Sequence, residues 1–197
     1  MASEARSRRP ATSGQRGEVI AVWSIPVSGG SSTSLYTLTG GGNSSLALLL
    51  PNLYVTSAGL GRVVSVAVAA GGWNGTVDGA GPFHGVDARA GRIAWFAGRT
   101  AIGAFDGVVK GMSVGGSPTV IASGQAPWAV AVDGTNAYWV TESGNSQEAL
   151  YKAPVGGGSA TLLLDNVNTY SIAIDDSYVY FLGRAGWGSN GLFRTPK

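Results

Sequence analysis

His84 is the single histidine of the chain, and its imidazole could act as a general base or as a metal ligand. Its nearest acidic neighbour in the sequence, Asp87, is expected in a turn on the opposite side of the fold, and nothing in the pattern brings a serine close to it. The chain has no cysteine, which excludes thiol catalysis, disulfides and cysteine-bound metals. We therefore expect no catalytic residue, no metal ion and no cofactor.

Aromatic residues offer a second kind of chemistry, which is stacking on a flat ligand. Trp128 and Tyr170 hold nearly equivalent positions in two similar segments, and Phe83 holds a comparable position in a third. Three rings around one opening could stack on a sugar or another flat group, or they could fill the opening themselves. His84, next to Phe83, is a further candidate ligand contact. Others, for which surface solvation is the alternative, lie in loops expected on the same side: Arg99, Glu142, Arg184 and Trp187.

These candidates belong to a repeat of about 42 residues. Residues 128–140 match residues 170–182 position by position, at an offset of 42. An apolar segment followed by paired glycines recurs with about the same period. Two independent markers with one period indicate a true internal repeat. The apolar residues of this second marker are Val27, Val68, Val114 and Val155. The aromatic markers, spaced 41, 44 and 42 residues apart, are Tyr54, Trp95, Trp139 and Phe181.

Each repeat predicts four short strands. Residues 128–132 are an apolar run, residues 137–142 are aromatic, residues 148–155 alternate, and residues 160–164 follow a glycine turn. The sequence therefore predicts an all-β protein, a β-propeller of four-stranded antiparallel blades with about four blade-equivalents. Trp95, Trp139 and Phe181 are expected to fill the cores between blades. The aspartates expected in turns are Asp87, Asp133 and Asp175.

Residues 129–133 together with Tyr138-Trp139-Val140-Thr141 resemble the YWTD-type and NHL-like repeats of six-bladed, TolB-like propellers. The segment from Tyr151 to Gly157 is similar to repeats of bacterial secreted or surface proteins. The resemblance implies propeller architecture and a secreted or surface location, although the chain shows no signal-peptide pattern. The aspartate that ends the YWTD motif has no counterpart here, so no role of that residue is carried over.

The charge distribution separates a tail from the repeats. Residues 1–18 contain four arginines and two glutamates and predict a disordered basic tail, whereas residues 19–197 hold nine basic and nine acidic residues. A neutral propeller region argues against a nucleic-acid partner, and the apolar runs are too short to span a membrane. The expected units are partial outer strands in 19–42, blades in 43–82, 83–124 and 125–167, and an incomplete blade in 168–197.

Three kinds of closure are compatible with this count. The chain could be a piece of a larger propeller, a four-bladed ring with residues 33–38 beside 192–196, or a ring completed by self-association. In function we expect a non-catalytic binding module whose protein, peptide or glycan ligand lies at one face of the central channel. The alternatives are a lyase or hydrolase with a site around His84, and a nonfunctional fragment.

Overall fold

The computed structural model describes residues 19–39, 44–59, 61–69, 72–79, 81–98, 106–141, 148–185 and 190–197. The predicted basic tail lies outside this part of the chain. The described residues form strands and turns without a helix, so none of them could cross a membrane as an apolar helix. An N-terminal hairpin consists of β1 (Val19–Ser24) and β2 (Thr33–Thr39).

Three four-stranded antiparallel sheets and one three-stranded sheet follow the hairpin, each a simple meander. Blade 1 contains β3 (Ser44–Leu49), β4 (Asn52–Ser57), β5 (Arg62–Ala67) and β6 (Gly72–Asp78). Blade 2 contains β7 (Phe83–Arg89), β8 (Arg92–Ala97), β9 (Gly107–Ser113) and β10 (Thr119–Gln125). Blade 3 contains β11 (Pro127–Val132), β12 (Asn136–Thr141), β13 (Ala149–Pro154) and β14 (Thr161–Leu164). Blade 4 contains β15 (Val167–Ile174), β16 (Tyr178–Ala185) and β17 (Gly191–Pro196).

The predicted all-β propeller architecture is confirmed. The first strand of each blade faces a central channel, and successive blades pack face to face around it. Local chemistry explains the blade 3 hairpins well: Gly157 and Gly158 have φ of 94° and 143°, a backbone region that side chains disfavour, at the turn into β14. The predicted strand bounds in this blade agree with the structure to within about two residues.

The hydrophobic core lies between the blades. Trp95, Trp139 and Phe181 are fully buried between blades as predicted, and the structure shows that each faces the preceding blade. The fourth aromatic marker was misaligned, because Val55 and not Tyr54 occupies the equivalent position in β4. Tyr54 is also buried, but it packs in the cluster between blades 1 and 2, since neighbouring residues of a strand point to opposite faces.

Two of the three recurring aspartates organise turns as predicted. Asp133 Oδ1 accepts hydrogen bonds from the backbone N–H groups of Thr135 (2.8 Å) and Asn136 (2.7 Å), and Asp133 Oδ2 accepts one from the Tyr138 hydroxyl (2.9 Å). Asp175 makes the same set of bonds in blade 4, ending on the Tyr180 hydroxyl at 2.6 Å. In both turns, therefore, one aspartate carboxylate accepts hydrogen bonds from the turn backbone and from a tyrosine hydroxyl of the second strand.

Asp87 does not belong to this set, so its predicted turn position is wrong. It lies within β7 opposite Ala94, and its carboxylate accepts from the backbone N–H of Ala88 (2.9 Å) and of Val132 (2.8 Å) in blade 3. The β7–β8 turn is shorter and uses Ala90 and Gly91, with φ of 50° and 75°. Positive φ at both central residues is typical of a two-residue hairpin turn, which needs no aspartate cap.

The turn at Asp133 predicts a pH-dependent stability. Partial burial by itself would raise the pKa of Asp133, but hydrogen bonds from the backbone of Asn136, from Lys197, from the backbone of Thr135 and from Tyr138 outweigh it and lower the pKa to about 2. The folded chain thus releases this proton more readily than the unfolded chain, whose value is near 3.8. The stability that Asp133 contributes is complete above about pH 4 and is lost as the pH falls toward 2.

Urea unfolding of wild type and Asp133→Asn over this pH range measures the effect. We expect the wild type to be more stable near neutral pH and the gap between the two proteins to narrow as the pH falls from about 4 toward 2, because Asp133 then becomes protonated in the folded chain as well. Asp175→Asn is a parallel variant, since hydrogen bonds from Tyr180, Ser177 and Tyr178 lower the pKa of Asp175 to about 2 as well. A gap that is independent of pH would contradict the assignment.

The hairpin strands β1 and β2 do not pair with the last described strand, β17. β2 pairs with β1, and the hairpin packs on blade 1 through Val22, Leu35 and Tyr36. Among the described strands, β17 pairs with β16 at the edge of a three-stranded sheet. The alternative that placed residues 33–38 beside 192–196 is therefore not the observed arrangement among the described strands.

Candidate functional site

A cavity of about 230 Å³ lies where the inner strands of all four blades converge. Because each blade places its first strand at the channel, residues from distant parts of the sequence meet here. The lining combines aromatic rings, small apolar groups and hydroxyls: Ser45, His84, Gly85, Val86, Phe96, Trp128, Ala129, Val130, Ser171 and Ile172.

β-Bulges position the side chains at this cavity. The pairing register of β7 shifts between Phe83 and Gly85, which places the bulge at His84. The register of β11 shifts between Pro127 and Ala129, which places the bulge at Trp128, and β15 has an irregularity between Thr169 and Ile172. A bulge interrupts strand alternation and re-aims a side chain, and bulges are over-represented next to functional sites.

His84 is held on an aromatic surface. Its ring stacks on Phe96 with centroids 6.2 Å apart and planes inclined by 23°. Two glycines make room for this stack: a Cβ on Gly85 would overlap the Phe96 ring, and a Cβ on Gly98 would lie 2.6 Å from His84 Cδ2. Burial lowers the pKa of His84, which favours the neutral imidazole with one donor and one acceptor.

Trp128 supplies the most accessible ring of the site. Its side chain retains 43% of its exposure while it lines the same cavity as His84, and Ser45 and Ser171 add hydroxyls from blades 1 and 4. The arrangement can hold an apolar or aromatic group between ring faces and can hydrogen-bond a polar tip. The sequence analysis predicted neither serine as a site residue. Ser171 could have been found, because it directly follows the candidate Tyr170 at the start of an inner strand.

Phe83 does not belong to the site. It is fully buried in the cluster between blades 1 and 2, and Lys110 Nζ lies 5.8 Å from its ring centroid. The pairing shows that His84, and not Phe83, is the counterpart of Trp128. The sequence comparison was wrong by one residue, which in a strand changes the face.

The remaining predicted contacts are only partly placed by the structure. Tyr170 lies within the irregular part of β15, and Arg184 lies in β16 opposite Asn168. Their role in ligand binding stays a prediction. Arg99, Glu142 and Trp187 lie outside the described residues.

Polar contacts bridge the blades at the opposite end of the channel. A second cavity of about 370 Å³ lies there, lined by residues of β7, β11 and β15. Arg89 crosses from blade 2 to blade 4, where its guanidinium donates to the Ile174 carbonyl oxygen at 2.9 Å and lies 3.4 Å from Asp176 Oδ1. Asp87 and Arg89 thus hydrogen-bond backbone groups of neighbouring blades at this end. The end near Trp128 instead presents aromatic rings.

Two catalytic possibilities can be assessed on the described residues. The sequence was expected to contain no Gly-x-Ser-x-Gly elbow, which is wrong, since Gly111-Met112-Ser113-Val114-Gly115 has that spacing; the segment leads from β9 into the β9–β10 hairpin and not into a helix. The Ser113 hydroxyl accepts a hydrogen bond from Arg92. Within the described ranges, no group of three or more His, Asp or Glu side chains is arranged to hold a metal ion.

Comparison with known proteins defines the fold class. No protein-family model matches the sequence, and no curated protein is significantly similar to it. A chain of the nidogen/laminin complex is similar in structure, with a TM-score of 0.57, 14% identity and coverage of 77% of this chain and 60% of that one. TolB from Acinetobacter baumannii is also similar in structure, with a TM-score of 0.55, 11% sequence identity and coverage of 88% of this chain and 45% of TolB.

The computationally designed protein Ika4 is a third structural neighbour, with a TM-score of 0.55, 16% identity and coverage of 76% of this chain and 88% of Ika4. The chain therefore spans about 60% of the nidogen/laminin chain and less than half of TolB. These likenesses concern the fold. They confirm that the chain is a β-propeller of the YWTD- and TolB-like architectural class.

Proposed function

We propose that this propeller is a non-catalytic interaction module that anchors a side chain of a protein or peptide partner between His84 and Trp128. The observation that supports it is the pair of bulges that directs these two residues toward one cavity lined by all four blades. The sequence left protein, peptide and glycan ligands open. The size and surface of the cavity favour the first two.

Cavity size limits the ligand group. Sites for drug-sized molecules usually measure about 300–1,000 Å³, whereas this cavity measures about 230 Å³. A space of this size suits one bulky side chain, and protein interfaces commonly depend on such an anchor in a desolvated pocket. The neutral imidazole of His84, the Phe96 ring beneath it and the Trp128 ring supply apolar contact, while Ser45 and Ser171 can bond a polar tip.

The fold comparison supports the same class of partner by analogy. One structural neighbour was solved as a complex of nidogen with laminin, which is an assembly of proteins. Propellers host many unrelated functions, so this analogy supports the class of partner only, and the cavity supports the location.

Substitution of the anchor residues tests the proposal. Peptides selected from a random phage-displayed library on the immobilised chain serve as the probe. We expect Trp128→Ala and His84→Ala each to weaken binding of a selected peptide about tenfold or more, because hot-spot truncations commonly cost above 1 kcal/mol. Titration calorimetry with a synthetic peptide measures the change.

Trp73→Ala is the matched control, since Trp73 on β6 is 52% exposed and lies away from the cavity. It should bind like wild type, and all three variants should melt close to wild type. Equal loss in the Trp73 variant, or undiminished binding by the Trp128 variant, would refute the location. If no peptide is selected, and if oligosaccharides bind the wild type but not the Trp128 variant, the ligand of this site would be a glycan and not a peptide.

A further inference from the structure

The second cavity of the channel, at the end away from Trp128, plays no part in the proposed function. It measures about 370 Å³, which falls within the ~300–1,000 Å³ that is usual for small-molecule sites. Its described lining residues all lie on the inner strands β7, β11 and β15, away from the first and the last described strands. The space therefore results from the way blades 2, 3 and 4 pack around the channel.

Two residues of opposite charge line this cavity from a single strand. Asp87 and Arg89 are separated by one residue in the regular part of β7, so their side chains leave the same face of the strand, about 6.6 Å apart along it. Among the described residues, the two side chains form no ion pair with each other, and each contacts another blade instead. The cavity thus offers an anionic and a cationic group that are not bonded to one another.

Both charged groups keep hydrogen-bonding capacity beyond the bonds that they make to the protein. Each oxygen of Asp87 accepts one backbone N–H, which uses two of the about four acceptor positions of a carboxylate. The guanidinium of Arg89 carries more N–H donors than the two that reach the Ile174 carbonyl oxygen and Asp176. Asp176 is 99% exposed, and ion pairs of this kind are weak, so a ligand carboxylate that also gains apolar contacts can replace it.

The other walls of the cavity are aliphatic. Apart from Asp87 and Arg89, the described lining residues are Val86, Val130, Ala131, Ile172, Ala173 and Ile174. A charged side chain of a ligand would be buried against these residues without a partner, whereas an aliphatic chain would be removed from water. The cavity is therefore suited to a small molecule with one cationic group, one anionic group and a short apolar chain.

We propose that the second cavity binds a free α-amino acid with a short aliphatic side chain. Arg89 donates to the α-carboxylate, Asp87 accepts from the α-ammonium, and the side chain packs on Val130 and Ile172. An α-amino acid carries both charges on one carbon atom, so both can reach two side chains that neighbour each other on one strand face. Val130 and Ile172 also line the first cavity, which places the apolar end of the ligand where the two cavities adjoin.

L-Leucine is the probe, and titration calorimetry with the purified full chain measures its binding. Two analogues keep the aliphatic chain and lack one charge: 3-methylbutylamine lacks the carboxylate, and 4-methylpentanoate lacks the ammonium. We expect L-leucine to bind, and each analogue to bind at least about tenfold more weakly, because each leaves one charged group of the cavity without a ligand partner. Absence of binding at millimolar L-leucine would overturn the proposal, and equal binding of the three ligands would overturn the assigned charge contacts.

Two substitutions assign the contacts separately. Arg89→Gln should bind L-leucine about tenfold more weakly and should no longer prefer it to 3-methylbutylamine, because the carboxylate has lost its partner. Asp87→Asn should likewise lose the preference for L-leucine over 4-methylpentanoate. A purely structural role of either residue would weaken all three ligands alike and keep these preferences, and that result would contradict the assignment.

Arg92→Gln is the matched control, since Arg92 lies in the same hairpin but donates to the Gly134 carbonyl oxygen and to Ser113, outside the cavity lining. It should bind L-leucine like wild type, and an equal loss in this variant would overturn the location. Circular dichroism melting shows whether each variant folds, and the ligand series on the wild type needs no variant. Peptide binding at His84 and Trp128 is measured separately, so failure of either proposal leaves the other standing.

Discussion

Replacing Trp139 with alanine is expected to lower the free energy of unfolding by about 3–5 kcal/mol, the range found for truncation of large buried aromatic residues. Trp139 is fully buried between blades 2 and 3 and stacks on Tyr151 with ring centroids 5.8 Å apart. Its Nε1 also donates to Gln125 Oε1, at the end of β10, at 2.5 Å. The substitution thus leaves both a cavity and an unpaired amide oxygen. Urea unfolding monitored by circular dichroism measures the loss.

Two variants make this result specific. Trp139→Phe retains most of the packing and removes the N–H donor, so we expect a cost of about 1 kcal/mol for the lost hydrogen bond, together with a smaller packing loss. Trp128→Ala removes the same kind of side chain from a position that is 43% exposed and should cost far less. Equal destabilisation by the Trp128 and Trp139 variants would show that Trp128 is also a core residue, and it would remove Trp128 from the proposed site.

Replacing Asp78 with alanine is expected to destabilise the fold by about 3–5 kcal/mol, because it removes one partner of a largely buried ion pair. Asp78 Oδ2, at the end of β6, accepts from Lys110 Nζ at 2.9 Å and from Trp95 Nε1 at 3.0 Å. The two charged side chains are only 8% and 17% exposed. Without the carboxylate, the ammonium and the indole N–H of blade 2 lose their partner in blade 1.

A double-mutant cycle separates the free-energy cost of leaving Lys110 charged and unpaired from the stabilisation that the ion pair itself contributes. We expect the combination of Asp78→Ala with Lys110→Met to be more stable than Asp78→Ala alone, because no unpaired charge is left behind. Asp176→Ala is the control, since the Arg89–Asp176 pair is 45% and 99% exposed and such pairs contribute little. Additive effects of the Asp78 and Lys110 substitutions would contradict the assigned coupling.

These two predictions share a feature that recurs between blades. Trp95 and Trp139 occupy equivalent positions, and each donates its indole N–H to the last residue of the preceding blade's fourth strand, Asp78 or Gln125. Phe181 holds the same position in blade 4 and has no such donor. The tryptophans therefore combine burial with a polar tether that fixes how neighbouring blades dock.

Features that depend on local chemistry were predictable from the sequence. The repeat, the strands of blade 3, the buried aromatic residues Trp95, Trp139 and Phe181, and the aspartate turns at Asp133 and Asp175 all follow from apolar alternation and turn composition. Such signals act over a few residues and recur in several copies of the repeat, so they could be recognised without any structure.

Only the tertiary structure decided which face each residue occupies and which residues meet. Val55 takes the place assigned to Tyr54, His84 takes the place assigned to Phe83, and Asp87 spans two blades instead of capping a turn. A change of one residue in turn length or one bulge reverses the face of every following side chain, and neither is marked by composition. The cavity between His84 and Trp128 arises from the packing of blades far apart in the sequence, which no local pattern encodes.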